Sequence, residues 1–216
     1  MRLRVEDSGL EDYLTTIYRL IEVYGYAKTT LISKELGVTP ATASKVIKHL
    51  ESKGLIRRVK YKGVSLTDKG LEVVKYVVRR HRIAEVFFRA FLDIDLLHSH
   101  VYAHLFEHLP DEIIERIYIK LGSPVTCPHG NKIAIPANNA GLDGIRLSDV
   151  DVGSEIVIIR IAGELIHALR VISELGLDLG SRIRVIGKYP HKIVIEVPSK
   201  GVYELPLDAA KAIIVK

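Results

Sequence analysis

The chain has 216 residues, of which 48% are hydrophobic and 26% charged, values that exclude wholesale disorder and fibrous repeats and allow one large domain or two to three small ones. No apolar run approaches the roughly 20 residues of a membrane span, the opening MRLRVEDSGLEDY lacks a signal-peptide stretch, and the one cysteine, Cys127, cannot form an internal disulfide, so a reducing cytoplasmic location is expected. The net charge of +5 is uneven: residues 1–80 hold 16 basic and nine acidic side chains against 15 and 17 in residues 81–216, which predicts a polyanion partner for the first third only.

Leu10, Leu14, Ile17, Leu20 and Ile21 recur at helical spacing and predict a helix over Leu10–Ile21, closed by Gly25. A short helix over Thr30–Leu36 stops at Gly37. Thr39-Pro40 then supplies an N-cap and a first-turn proline for a helix over Pro40–Lys53, which buries Ala43, Val46, Ile47 and Leu50. Strands at Leu55–Val59 and Val64–Leu66 flank the turn Lys60-Tyr61-Lys62-Gly63. Two helices joined by Gly-Val-Thr and followed by a basic hairpin make a winged helix-turn-helix. Its second helix is expected to present Thr39, Ala41, Thr42, Ser44, Lys45 and Lys48 to a major groove, and the wing to offer Arg57, Arg58, Lys60 and Lys62 to phosphate. The bland alternative is a helical domain with a solvated basic face; turn, cap, periodicity and wing together favour double-stranded DNA.

A long apolar helix follows from an N-cap at Thr67 to near Phe91, then helices over Asp95–His108 and Asp111–Leu121. Three helices this apolar predict packing on the winged helix and on a second copy, a homodimer whose two-fold axis suits a palindromic operator. Ser123–Leu142, rich in Pro, Gly and Asn, reads as a linker. Beyond it the period changes: strands at Glu155–Ile161, Arg182–Ile186, Lys192–Val197 and Val202–Leu205, with one helix at about Glu164–Leu175, predict a small SH3-like barrel. The expected fold class is α+β, with domains at 1–72 (winged helix-turn-helix), 73–142 (all-helical dimerisation, with linker) and 143–216 (barrel).

Five of the nine histidines fall between positions 81 and 108. His81 and Glu85 share one helix face, and His100-x3-His104-x2-Glu107-His108 places four donors on one stripe of the next helix, at about 100° per residue. His98 faces away. Imidazoles and carboxylates converging from two helices suit a divalent metal such as Fe(II), Mn(II), Co(II), Ni(II) or Zn(II). Any one of these histidines alone would more often be a hydrogen-bonded core or surface residue; donors gathered on two stripes favour the metal. Cys127 and His129 are two donors on a loop, too few for a tetrahedral site, and read as linker chemistry.

Tyr13-x3-Ile17-Tyr18, the winged helix, Arg80-His81-Arg82-x2-Glu85, His100-x3-His104-x2-Glu107-His108-x2-Asp111-Glu112 and Cys127-Pro128-His129-Gly130-Asn131 together resemble the diphtheria toxin repressor (DtxR) family over essentially the whole chain. The resemblance implies a metal-activated repressor of iron or manganese homeostasis genes, with Fe(II) or Mn(II) as the native ion and Zn(II), Co(II) or Ni(II) as substitutes. It implies an activating site of Asp12, His104, Glu107 and His108 and an ancillary site of His81, Glu85 and His100. Iron-responsive members place Met and Cys where this chain has Asp12 and His104; manganese-responsive members place Asp and Glu there, with a further Glu where this chain has Thr15. Glu164-x2-His167 has the spacing of the pair that the barrel lends the ancillary site in iron-responsive members, the alternative being the exposed face of the barrel's short helix. The expectation is a non-enzymatic regulator with no membrane partner and no small organic substrate. The rivals are a winged-helix protein with a purely structural metal and, against the missing repeat of Glu-x-x-His on two helices, a metalloenzyme.

Overall fold

In the computed structural model, which describes residues 8–135 and 144–216, three helices and a hairpin come first. Helix α1 (Ser8–Tyr24), α2 (Thr29–Glu35) and α3 (Pro40–Ser52) pack around Leu14, Ile17, Ile32, Ala43, Ile47 and Leu50, all essentially without solvent exposure. The Thr39 hydroxyl accepts from the Thr42 amide at 3.1 Å, so the cap read from Thr-Pro is made. Strands β1 (Ile56–Val59) and β2 (Gly63–Leu66) pair antiparallel, Ile56 opposite Leu66 and Val59 opposite Gly63. Gly63 lies against the backbone of Ala27, where a Cβ would fall 2.2 Å from a carbonyl oxygen, and this close approach fixes the wing on the segment between α1 and α2.

Helix α4 (Asp68–Leu92) is capped by Thr67, whose hydroxyl accepts from the Gly70 amide. It runs unbroken through the expected boundary at residue 72 and so joins the reading head to α5 (Leu96–Phe106) and α6 (Asp111–Lys120) as one rigid element. Phe91, Leu105 and Ile119 are 59%, 80% and 68% exposed on this helical unit, which leaves large apolar side chains open on all three of its helices.

The barrel holds β3 (Ile145–Arg146), β4 (Glu155–Ile161), α7 (Ile166–Glu174), β5 (Arg182–Lys188), β6 (Lys192–Val197), β7 (Gly201–Pro206), α8 (Leu207–Ala212) and β8 (Ile213–Val215). Its sheet order is β3-β8-β4-β5-β6-β7 with antiparallel neighbours, and Ile158, Ile161, Leu165, Leu169, Val185, Ile193, Ile195 and Leu205 fill its interior. The closing pair β3–β8 and helix α8 were not expected; two- and three-residue strands have too short a period to read.

Two expectations are corrected. The helix expected from Glu164 begins at Ile166, because Gly163 and Glu164 take positive φ (65° and 47°) in a tight turn after β4. The stretch Ser123–Leu142 is not simply a linker: Cys127, His129, Ile133 and Asn131 are buried, and the Cys127 amide donates to the Asn131 carbonyl. Proline, glycine and asparagine mark a tight turn there. The remainder, 136–142, and the start of the chain, 1–7, lie outside the described residues.

Candidate metal centre

The buried stripe of α4 continues from Val74, Val77 and Val78 to His81 and Glu85, placing an imidazole and a carboxylate at zero exposure where α5, the Cys127 turn and the barrel converge. Such groups need partners, and they have them. His81 Nε2 lies 3.0 Å from both Glu85 Oε1 and His100 Nδ1, and Glu85 Oε1 lies 2.9 Å from His100 Nδ1. On its other side His81 Nδ1 donates to Glu107 Oε2 at 2.6 Å.

Glu107 is the C-cap of α5, and His108 lies beyond the helix end. Arg80, also buried, locks this turn by donating to the carbonyls of Glu107 and Leu109 and pairing with Asp111. With its turn fixed, Glu107 meets His108 and, from α1, Asp12: one donor atom from each lies within 4.8 Å of the others. His104, expected with this set, instead groups with His81 and His100, its ring centroid 4.5 Å from that of His81; its Nδ1 is 3.6 Å from Glu107 Oε1. The two expected sites are therefore contiguous, with His81 and Glu107 at the seam.

A second set is Glu85, Cys127, His129 and Glu164, all fully or almost fully buried and mutually within 4.8 Å. This overturns the reading of Cys127 and His129 as linker chemistry: the barrel and α4 supply the two carboxylates that the loop alone lacks. His129 Nε2 donates to the Leu96 carbonyl at 3.0 Å, which turns Nδ1 towards Glu85 Oε2, 3.2 Å away. A ring nitrogen tied to a carbonyl leaves the other as a lone-pair donor, the arrangement found at metal-bound imidazoles. The Glu164-x2-His167 pair splits. Positive φ turns Glu164 inward, whereas His167 sits on α7 against Tyr24, its Nε2 3.1 Å from the phenol oxygen and its Nδ1 3.6 Å from Glu35.

The carboxylates share one feature. Glu164 Oε1 accepts from Arg82 Nε, Asn131 Nδ2 and the Cys127 thiol; Glu85 Oε1 is held by His81 and His100; Glu107 Oε2 is held by His81. The other oxygen of each, Glu164 Oε2, Glu85 Oε2 and Glu107 Oε1, is buried with no hydrogen bond. Three buried carboxylate oxygens without hydrogen bonds, set amid imidazoles, fit a hard-to-borderline divalent cation.

The electrostatics are those of a loaded anion cluster. Burial opposes the charge on His81, yet Glu85 and Glu107 outweigh it and raise the imidazole to about 9. Burial likewise opposes ionisation of Glu85, Glu107 and Glu164, but His129 and His81, then His81 and His104, then Arg82 hold the three below the usual carboxylate range. Burial and Arg19 push His100 down, burial and His81 push His104 down, and burial and Glu107 raise Asp12. Burial and Glu85 raise the Cys127 thiol, which is therefore protonated before a cation arrives.

On the opposite side of the reading head, Thr39, Ala41, Thr42, Ser44, Lys45, Lys48, Arg57, Arg58, Lys60 and Lys62 are all exposed. Arg58 ties wing to helix through Glu51 at 3.0 Å. Tyr61, not singled out in the sequence, is 85% exposed at the wing tip at φ 63° with Lys60 over its ring.

Three family models match in series: the iron dependent repressor N-terminal DNA binding domain over residues 8–64, the iron dependent repressor metal binding and dimerisation domain over 67–135, and the FeoA domain over 145–216. The iron-dependent repressor IdeR of Mycobacterium leprae is 29% identical over 217 residues, covering 94% of each chain. The HTH-type transcriptional regulator MntR of Listeria welshimeri is 35% identical over 112 residues, covering 50% of this chain and 77% of that one. The solved structure of the manganese regulator SloR superposes with a TM-score of 0.81 at 25% identity, covering 96% of this chain and 97% of that one.

Proposed function

Because the chain belongs to the iron-dependent (diphtheria toxin) repressor family, we propose that it is a homodimeric, divalent-metal-dependent transcriptional repressor responding to iron or manganese. The three buried carboxylate oxygens without hydrogen bonds carry the reading. One ligand set is Asp12, Glu107 and His108; the other is Glu85, Cys127, His129 and Glu164, with His81, His100 and His104 between them. A divalent cation would supply the positive charge that these buried carboxylate oxygens lack.

The sets draw on every part of the chain. Asp12 comes from the first helix of the reading head, Glu107 and His108 from the dimerisation helices, and Glu164 from the barrel. Holding Asp12 against Glu107 fixes α1 relative to α5, and hence the angle at which α3 leaves the dimer. Two recognition helices about 34 Å apart then meet successive major grooves. Taking the competent fraction from 1% to 99% requires about 5.5 kcal/mol of differential affinity, within reach of sites that release on the order of 10 kcal/mol or more. The dimer surface is the exposed apolar band of Phe91, Leu105 and Ile119.

The test is operator binding by fluorescence titration, under anaerobic conditions, across Mn(II), Fe(II), Co(II), Ni(II) and Zn(II). Reciprocity requires that DNA tighten metal binding by the same factor. Equal operator affinity in chelator and in every metal sinks the switch. A chain that unfolds in chelator favours a structural metal instead.

A further inference from the structure

One cation already stands between the histidine cluster and the inner ligand set. Arg19, on α1 and 4% exposed, points Nη1 at His104 Nε2 (3.4 Å) and Nε at Glu164 Oε2 (3.7 Å). It stands seven residues from Asp12, on the same helix face. Neither Arg19 Nε nor Glu164 Oε2 makes a hydrogen bond, although both are buried and face each other. The other guanidinium on Glu164, that of Arg82, comes from α4 and spends Nη1 on the Lys132 carbonyl. The barrel's turn is packed on the Arg19 backbone, where a Cβ at Gly163 would fall 2.7 Å from the Arg19 carbonyl oxygen, so α1 carries this residue directly against the turn that holds Glu164. Its charge acts to lower the pKa of His100, His104 and Glu164, and works against the net upward shifts of Asp12 and His81.

We propose that Arg19 is the resident cation of this ligand cluster, occupying the positive-charge position between His104 and Glu164 and so setting the metal concentration at which the chain responds. This rests on the reading that the sets hold a divalent ion. Like charges forced together in a buried site repel strongly, so the guanidinium holds the ligands assembled while weakening their hold on the metal. Glu164 keeps its partner Arg82 when Arg19 is lost, and the set stays anionic.

The experiment measures Mn(II) and Co(II) affinity calorimetrically, with the Co(II) visible spectrum as a second readout, on the full-length parent and variants in the absence of DNA. Arg19→Met, of similar length and no charge, is expected to bind both ions about tenfold or more tightly. The Mn(II) concentration giving half-maximal operator binding falls by the same factor. Arg19→Lys keeps the charge and stays within about threefold of the parent. Should the Met variant fail to fold, Arg19→Gln carries the same expectation. Unchanged or weaker metal binding by a folded neutral variant overturns the proposal. A parent chain that binds neither ion overturns the ligand-set reading itself, which is seen before any variant is made.

Discussion

His81 Nδ1 donates to Glu107 Oε2 at 2.6 Å while the opposite ring nitrogen lies 3.0 Å from Glu85 Oε1, so a single buried imidazole joins the two ligand sets. Its pKa, raised to about 9 against burial by Glu85 and Glu107, means that it carries a proton at neutral pH. A metal must displace that proton. Apparent metal affinity is therefore expected to rise with pH between the ordinary imidazole value of 6.5 and about 9, by about tenfold per unit for one proton released. The metal-free chain shows the opposite trend. Stability from His81 is fully present below 6.5 and is lost as pH rises through about 9. Mn(II) titrations and thermal unfolding at several pH values read both slopes, and a flat affinity profile refutes the assignment of His81.

Glu107 is the most deeply buried member of the interdomain set, within 4.8 Å of both Asp12 and His108. Glu107→Gln and His104→Ala are each expected to lower metal-stimulated operator affinity by about 100-fold, with the dimer intact by sedimentation. The dimer survives because the apolar band on α4, α5 and α6 is untouched and Arg80 still holds the turn through backbone carbonyls. A Glu107 variant that responds fully to metal would show that the interdomain set is misplaced, and a His104 variant that does so would remove that imidazole from the ligands.

The reading head could be read almost residue by residue, because its elements are long, capped and periodic: Thr39-Pro40, Gly54 and Thr67 mark real boundaries. Periodicity also found His81, Glu85, His100 and Glu107, which lie on two regular helices. It failed where chain geometry is irregular. Glu164 and His167 look like neighbours at i and i+3, but positive φ at Gly163 and Glu164 breaks the face they would share. Cys127 and His129 look like two isolated donors, because the carboxylates that complete their set stand 42 positions before and 37 after Cys127 in the chain. Arg19 gave no signal at all; a lone arginine in an amphipathic helix becomes informative only when its buried neighbours are known.

Exposed cations on the wing act through phosphate charge. Lys60→Ala and Lys62→Ala are each expected to weaken operator and random DNA about equally and to reduce the slope of log affinity against log salt by about one. Thr42 lies on the exposed face of α3, proposed to read base edges, and Thr42→Val is expected to reorder operator preference while leaving that slope in place. Filter binding at four salt concentrations separates the two; a lysine variant that loses only specificity contradicts the phosphate assignment.

Cys127 sets the chemistry of the inner site. Its thiol is buried and held protonated by burial and by Glu85, with Sγ 3.5 Å from Glu164 Oε1 and 3.8 Å from His129 Nδ1. Thiolate favours borderline ions over hard ones. Cys127→Ser keeps a donor for Glu164 and a similar shape, so the fold is expected to persist. Affinity for Co(II) and Zn(II) should fall by about tenfold or more and that for Mn(II) by less, since serine oxygen suits the harder ion. In the parent, Co(II) loading should produce a sulfur-to-metal charge-transfer band and release a proton that the serine variant does not release near neutral pH. A parent without that band leaves Cys127 as a buried thiol packed beside the ligands, and the inner set then rests on Glu85, His129 and Glu164.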